Sequence, residues 1–388
     1  MSFCRLCGQG TLPMLDLGRQ PLANSLLTGP NDQYATYPLE VRLCSSCHLG
    51  QLTDLVPPDV LFREYAYYSS ISTGAINPAN SLVERAISTV PLTEDPLAVE
   101  IGSNDGYLLR YYRRWRIRVL GIDPARGPAN AAALADVPTV QEFFTADLAR
   151  RFPQADIIHA NNVLAHVPDL DDFVEGISIL LKPDGVCYVE VPYIGALIEG
   201  AKFDTIYHEH VYYFSITALR RLFARHALHV AEVENLPVHG GSLRLTVRKH
   251  SWSHEFAEVI DGSGLQARVD RNVAYLMSRI VDLRSSGKRI WGYGAAAKAT
   301  VMLNYCGIDA SLIDGIADET PAKIGRYVPG TGIPIRHPDE WLAAAPDYTC
   351  CFAWNFASDI AHRYARVYPG KWFTPYVWES LPLKEKSA

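Results

Sequence analysis

Cys4 and Cys7, then Cys44 and Cys47, form two Cys-x-x-Cys pairs that together offer four thiolates to one tetrahedral ion. The short turn inside each pair brings both sulfurs to the same side, and Gly8 relaxes the backbone beyond the first. Four sulfurs close the coordination shell, so the spacing predicts a structural zinc and not a catalytic one. A second concentration of chemistry is Tyr207-His208-Glu209-His210, directly before the aromatic run Val211-Tyr212-Tyr213-Phe214. Imidazole titrates near neutral pH and can take or give a proton, and a carboxylate or phenol beside it can orient it or stabilise developing charge. The same residues read as a metal site are weaker, because His-x-His lacks a third ligand and His-Glu-x-x-His is absent.

The elements that would carry this chemistry begin near residue 95, where short apolar runs alternate with amphipathic segments, as a parallel sheet covered by helices requires. Leu97–Gly102 reads as a buried strand that ends in the turn Gly102-Ser103-Asn104-Asp105-Gly106, with a helix entered from Gly106. The next strand, Val119–Asp123, puts the Asp123 carboxylate at its carboxyl end, where it can accept both hydroxyls of a ribose. A pyrophosphate would need Gly-x-Gly-x-x-Gly at the first turn. The acid and amide found there, with Glu100 just upstream, repel phosphate and suit a sulfonium cation with an amino-acid tail, which is S-adenosylmethionine. Further strands are expected at 156–160 and 185–191. Asn161 opens the loop after the first of these, and Phe143 is either a wall beside adenine or ordinary core.

A second glycine turn, Gly292-Tyr293-Gly294-Ala295-Ala296-Ala297-Lys298, follows another apolar strand and satisfies Gly-x-Gly-x-x-Ala, with Asp314 or Asp318 as the acid after the next strand. It supports a competing reading as a nicotinamide-dependent oxidoreductase. Its backbone amides and Lys298 also suit any anion, and Lys323, Arg326, Trp354 and Asn355 could complete a pyrophosphate or base pocket. Between the two α/β units, Val269, Val273, Leu276, Ile280 and Leu283 recur at helical spacing and predict a helical connector.

The bulk properties fit several packed units: 388 residues, 48% hydrophobic and 20% charged. A formal charge of −6 argues against nucleic acid as the main partner and weakens a third reading, a zinc-ribbon nucleic-acid binder. No basic start followed by an apolar leader and no run long enough to span a bilayer is seen, so the expectation is a cytoplasmic chain with reduced thiols and no membrane partner.

Taken in order, the cysteine pairs, Asp16-Leu17-Gly18, Glu100 to Gly106, Tyr207 to His210, Pro237-Val238-His239-Gly240-Gly241 and Gly292 to Lys298 resemble the bacterial nucleotide-sugar C-methyltransferases, which methylate C-3 of 4-keto-6-deoxy sugars. The resemblance runs over nearly the whole chain. It implies an α/β protein with a small zinc-binding module (1–70), a class I methyltransferase domain (71–250), a helical connector (251–284) and a second Rossmann-like domain for the nucleotide sugar (285–388), acting as a monomer. His210 would remove the C-3 proton, with Glu209 fixing it and Tyr207 donating to the developing oxyanion. His166 and Tyr67 would contact the sugar. The cofactor would lie against Glu100, Gly102, Asn104, Asp105, Gly106, Asp123, Phe143 and Asn161, and the substrate against His208, His239, Gly240, Tyr293, Lys298, Lys323, Arg326, Trp354 and Asn355. His208 departs from the pattern and adds a rival base, which on a strand would share a face with His210.

Overall fold

The computed structural model describes residues 2–62, 68–71, 73–250 and 258–376. The chain divides into two compact units, one of Met1–Leu12, Arg42–Ala196 and Glu209–Asp261, the other of Pro13–Val41, Leu197–His208 and Gly262–Ala388. The first knuckle is followed by β1 (Thr11–Pro21) and β2 (Thr36–Cys44), and the second knuckle by the three-residue β3 (Gly50–Leu52).

The first unit is organised on a seven-stranded sheet. Its strands are β4 (Leu97–Ile101), β5 (Arg118–Ile122), β6 (Thr139–Val140), β7 (Ala155–Asn161) and β8 (Leu181–Pro192); a two-residue β9 (Tyr212–Tyr213) lies outside it, and β10 (His229–Leu236) and β11 (Ser242–Arg248) complete it. The spatial order is β10-β11-β8-β7-β4-β5-β6, with β4 to β8 parallel and β11 antiparallel to both of its neighbours. All five residues of β4 are buried, which is why it reads as a continuous apolar run broken only by Glu100. Sheet order reverses between β4 and β7, so the loops leaving their carboxyl ends face one crevice, where open α/β sheets bind ligands. Those loops carry Gly102 to Gly106 and Asn161 to His166.

Beyond Gly106 the expected helix is a seven-residue 3-10 turn, Leu109–Trp115, which stops where Arg116 turns left-handed at φ 56°. The zinc knuckles share this unit's core: Cys4, Cys44, Cys47 and Leu49 pack in one apolar cluster with Tyr212, Phe214, Leu219 and Leu222.

The second unit contains the 21-residue helix Leu265–Ser285, with Val269, Leu276 and Ile280 buried, and a five-stranded sheet. Its strands are β12 (Ile290–Tyr293), β13 (Ile316–Ala317), β14 (Ile335–Arg336), β15 (Tyr348–Cys351) and β16 (Lys371–Phe373), all parallel in the order β14-β13-β12-β15-β16. Here the order reverses between β12 and β15. Gly294 holds φ at 88°, and a Cβ there would stand 2.8 Å from the Ala353 Cβ, so only glycine lets the turn sit this close to the loop after β15.

Candidate active site

The four cysteine sulfurs all lie within 4.8 Å of one another, with Cys4–Cys47 at 3.6 Å and Cys7–Cys44 at 3.4 Å. Zinc–sulfur bonds of about 2.3 Å place tetrahedral sulfurs roughly 3.8 Å apart, so the cluster fits zinc. The contact between Cys4 and Cys47 lowers the pKa of Cys4 and raises that of Cys47, so the pair by itself holds one thiolate and one thiol.

At the crevice of the first unit, Asp123 follows β5 with its two carboxylate oxygens accepting from the Asn104 and Ala125 amides, each at 2.8 Å. The Asn104 side chain accepts from the Ser69 amide at 2.9 Å and Asp105 from the Ser70 amide at 3.1 Å, which ties the 3-10 turn Ser69–Ile71 to the glycine loop. Three carboxylates crowd this loop. Glu100 is 1% exposed, and its pKa is pushed well up, first by burial and then by the charges of Asp123 and Asp105, while the Tyr107 hydroxyl acts weakly the other way. Neither Glu100 oxygen has a hydrogen-bond partner within normal distance, and neither has Asp105 Oδ1 or the side-chain oxygen of Asn161 at the end of β7. Asp105 Oδ1 and Asn161 Oδ1 are thus buried acceptors left uncompensated, and the Glu100 carboxyl is held toward its neutral form; a cationic ligand rich in N–H and O–H donors would satisfy the first two and draw out the charge of the third. Phe144 is core, packed edge-on to Phe173 at 5.3 Å, whereas Phe143 is half-buried after β6.

The loop after β7 brings His166 to His210, ring centroids 4.9 Å apart. His166 Nδ1 lies 2.6 Å from the Glu209 carbonyl and therefore donates to it, leaving the lone pair of the neutral ring on Nε2. Burial lowers its pKa to about 4, against the opposite pull of the Glu209 and Asn162 carbonyls, so it is neutral at physiological pH. Phe62 stands edge-on to the same ring at 5.4 Å. Tyr207 to His210 form a turn, not a strand, and His208 and His210 do not share a face. A hydrogen bond to the Pro38 carbonyl, 3.2 Å from Nε2, and an edge contact with Tyr37 bury His208 at 1% exposure, whereas His210 is half-buried beside His166. Glu209 is buried and Tyr207 half-buried. Tyr67 lies outside the described residues; its neighbour Tyr68 places its hydroxyl 2.6 Å from where a Cβ of Gly127 would be.

His210 is fixed from behind by the zinc module. Strand β9 pairs antiparallel with β3, Tyr213 opposite Gly50 and Tyr212 opposite Gln51. The Leu52 amide donates to the Val211 carbonyl at 3.0 Å, the Val211 amide to the Ala165 carbonyl at 2.8 Å, and the Ser215 hydroxyl to the Cys47 carbonyl at 2.8 Å.

Three family models match the chain in succession: one described as a "putative zinc binding domain" over residues 4–62, a methyltransferase domain over 80–233 and a C-methyltransferase C-terminal domain over 237–376. The C-methyltransferase NovU of Streptomyces niveus is 35% identical over 383 residues, 92% of this chain and 90% of that protein. The chain belongs to the NovU-type C-methyltransferases. Among solved structures, magnesium protoporphyrin IX methyltransferase of Synechocystis PCC 6803 with bound S-adenosylmethionine is 14% identical over 46% of this chain and 82% of its own, with a TM-score of 0.36. An S-adenosylmethionine-dependent methyltransferase from Clostridium acetobutylicum is 8% identical over 44% and 89%, also with a TM-score of 0.36. This C-methyltransferase therefore combines a zinc-binding module, an S-adenosylmethionine-dependent methyltransferase domain and a C-terminal domain, and among its described residues no helix is long and apolar enough to cross a membrane.

In the C-terminal unit of the C-methyltransferase, Lys298, Trp354 and Asn355 gather at the switch between β12 and β15. Lys298 Nζ stands 4.2 Å from the centre of the Trp354 ring and donates to Asn355 Oδ1 at 3.0 Å. The Trp354 indole donates to Asp204 at 2.6 Å and the Tyr376 hydroxyl at 2.5 Å, and burial raises the Asp204 pKa while Lys298 lowers it. Lys323 donates to the Ala295 carbonyl at 2.9 Å, and Arg326 is exposed. The Tyr293 ring belongs to the core with Trp341 and Trp372, and its hydroxyl donates to Glu319 at 2.8 Å, so only its backbone borders the turn. His239 and Gly240 lie in the 3-10 turn Val238–Gly240, with Gly240 at φ 94°.

Asp204, Glu190 and Asn162 were not singled out from the sequence. Glu190 alone could have been, as an acid inside the apolar run Val186–Val191. Asp204 meets Trp354 and Tyr376 from 150 or more residues away, and nothing local signals it.

Proposed function

We propose that this C-methyltransferase adds a methyl group to C-3 of a nucleotide-linked 4-keto-6-deoxy sugar, giving a branched deoxysugar for a natural product or a surface glycan. S-adenosylmethionine, held by the acidic glycine loop, Asp123 and Asn161, supplies an electrophilic methyl group. Methylation at carbon requires a nucleophilic carbon, and a C-4 ketone provides one because loss of the C-3 proton gives an enolate. The observation that carries the reading is the neutral His166 beside His210, in the unit that also holds the cofactor loop. His210 takes the C-3 proton, the Glu209 backbone fixes His166 next to it, and Tyr207 donates to the enolate oxygen. Lys298, Trp354 and Asn355 receive the nucleotide diphosphate, whose charge suits Lys298 and whose base suits the indole.

The test is incubation of a nucleoside diphosphate 4-keto-6-deoxyhexose with the enzyme in deuterated buffer, with and without S-adenosylmethionine. The expected results are C-3 exchange in both and a C-3 methyl product only with the cofactor, with His210→Asn losing both. Exchange retained in His210→Asn moves the base to His166. Methyl transfer to oxygen or nitrogen, or no reaction of the keto sugar, overturns the proposal.

A further inference from the structure

Asn162 is the residue at which the loop from β7 turns toward His166, and it holds φ at 54°, in the left-handed region. Asparagine enters that region more readily than most residues, but a single residue there still has to be held. Glu190, near the end of β8, holds it at two points. The Asn162 amide donates to the Glu190 carbonyl at 2.8 Å, and Asn162 Nδ2 donates to Glu190 Oε1 at 3.1 Å. The other carboxylate oxygen accepts from Arg244 at 3.1 Å, in a pair whose side chains are only 14% and 9% exposed. Shielding from water makes this carboxylate a stiff anchor, since moving it would break a charge-assisted bond with little solvent to replace it.

On the other side of Asn162, Val163 rests on the cofactor loop, 3.1 Å from where a Gly102 Cβ would stand. The His166 amide donates to the Val163 carbonyl at 2.9 Å, so the short turn that Asn162 starts also sets where His166 stands. His210 is the ionisable side chain that meets the His166 ring, and the Glu209 carbonyl takes its Nδ1 proton.

We propose that Glu190, acting through Asn162, is a positioning residue that fixes the orientation and tautomer of His166. Its effect on catalysis rests on the sugar-methylation reading, but its effect on the ring does not. The carboxylate touches Asn162 and not the ring: it holds the loop that keeps His166 Nδ1 against the Glu209 carbonyl, and that carbonyl selects the tautomer.

Nitrogen NMR of imidazole-labelled protein tests this without substrate, with His166 assigned by comparison with His166→Gln. The wild type is expected to show the Nδ1–H tautomer. In Glu190→Ala the ring is expected to become a mixture with Nε2–H, while the dissociation constant of S-adenosylmethionine stays within about twofold and kcat falls at least about tenfold. Asn162→Ala cuts the same link without leaving Arg244 unpaired, and carries the same expectations should Glu190→Ala not fold. A persistent Nδ1–H tautomer in a folded variant overturns the proposal, as does a loss confined to thermal stability. If the tautomer shifts while even wild-type enzyme leaves the keto sugar untouched, the substrate assignment fails and the positioning role stands.

Discussion

The two glycine-turn crevices share a plan and differ in charge. Each follows the first strand of a parallel sheet, each lies where strand order reverses, and in each the acid after the second strand accepts from an amide of the turn: Asp123 from Asn104 at 2.8 Å, Asp318 from Ala295 at 2.7 Å. The acid at this place thus braces its own loop before it meets any ligand. What surrounds the brace is opposite in sign. The first turn gathers the acids Glu100 and Asp105, with Glu100 held toward its neutral form until a cation meets it, whereas Lys323 lies 3.7 Å from Asp318 and Lys298 stands at the start of the helix leaving the second. Topology says where a ligand sits, and the neighbouring charges say whether it is a cation or an anion.

The largest effect expected from breaking this division is at Asp123. Asp123→Ala removes the loop brace and the ribose acceptor together and should weaken S-adenosylmethionine about a hundredfold by calorimetry, leaving nucleoside diphosphate affinity within about twofold. Equal losses for both ligands would mean that the crevices are not independent. Lys298→Ala is the mirror experiment, with about a tenfold loss for the nucleoside diphosphate and none for S-adenosylmethionine. Gly294→Ala should cost about 1–3 kcal/mol in denaturant unfolding, because it forces both the left-handed backbone and the approach to Ala353; an unchanged midpoint would show that the turn can open.

A further effect is on pH dependence and belongs to the first unit. His159 and His166 titrate at about 3 and about 4 in the fold against an ordinary 6.5, both because burial disfavours the imidazolium. Below 6.5 the unfolded chain takes protons that the native state refuses, so stability falls as pH drops from 6.5 through 4, by at most about 1.4 kcal/mol per pH unit for each histidine. Above 6.5 neither contributes. Unfolding midpoints measured across that window should flatten in His159→Gln, and an unaltered slope would assign the protons elsewhere.

Much of this division was legible from residue types. The buried strands betrayed themselves as apolar runs, the four cysteines by spacing, and the acidic loop by what it would repel. The turn at Tyr207 to His210 was harder. On a strand His208 and His210 would have shared one face, but the chain turns here, and His208 is taken up by Pro38 and Tyr37, some 170 residues away. Tyr293 looked like part of a ligand turn because its neighbours are glycines, and only the packing of Trp341 and Trp372 shows that its ring is core. Glu190 shows in the sequence only as an acid inside the apolar run Val186–Val191, and its link to Asn162 has no spacing that would reveal it.

Strand β9 is two residues long, too short to hold a place by its own ladder, and it borrows that place from β3. β3 in turn begins three residues after Cys47, so the lever arm from metal to His210 is a handful of bonds with little slack. On the reading proposed above, chelation is therefore expected to act on His210 first, costing methyl transfer before it costs binding of S-adenosylmethionine.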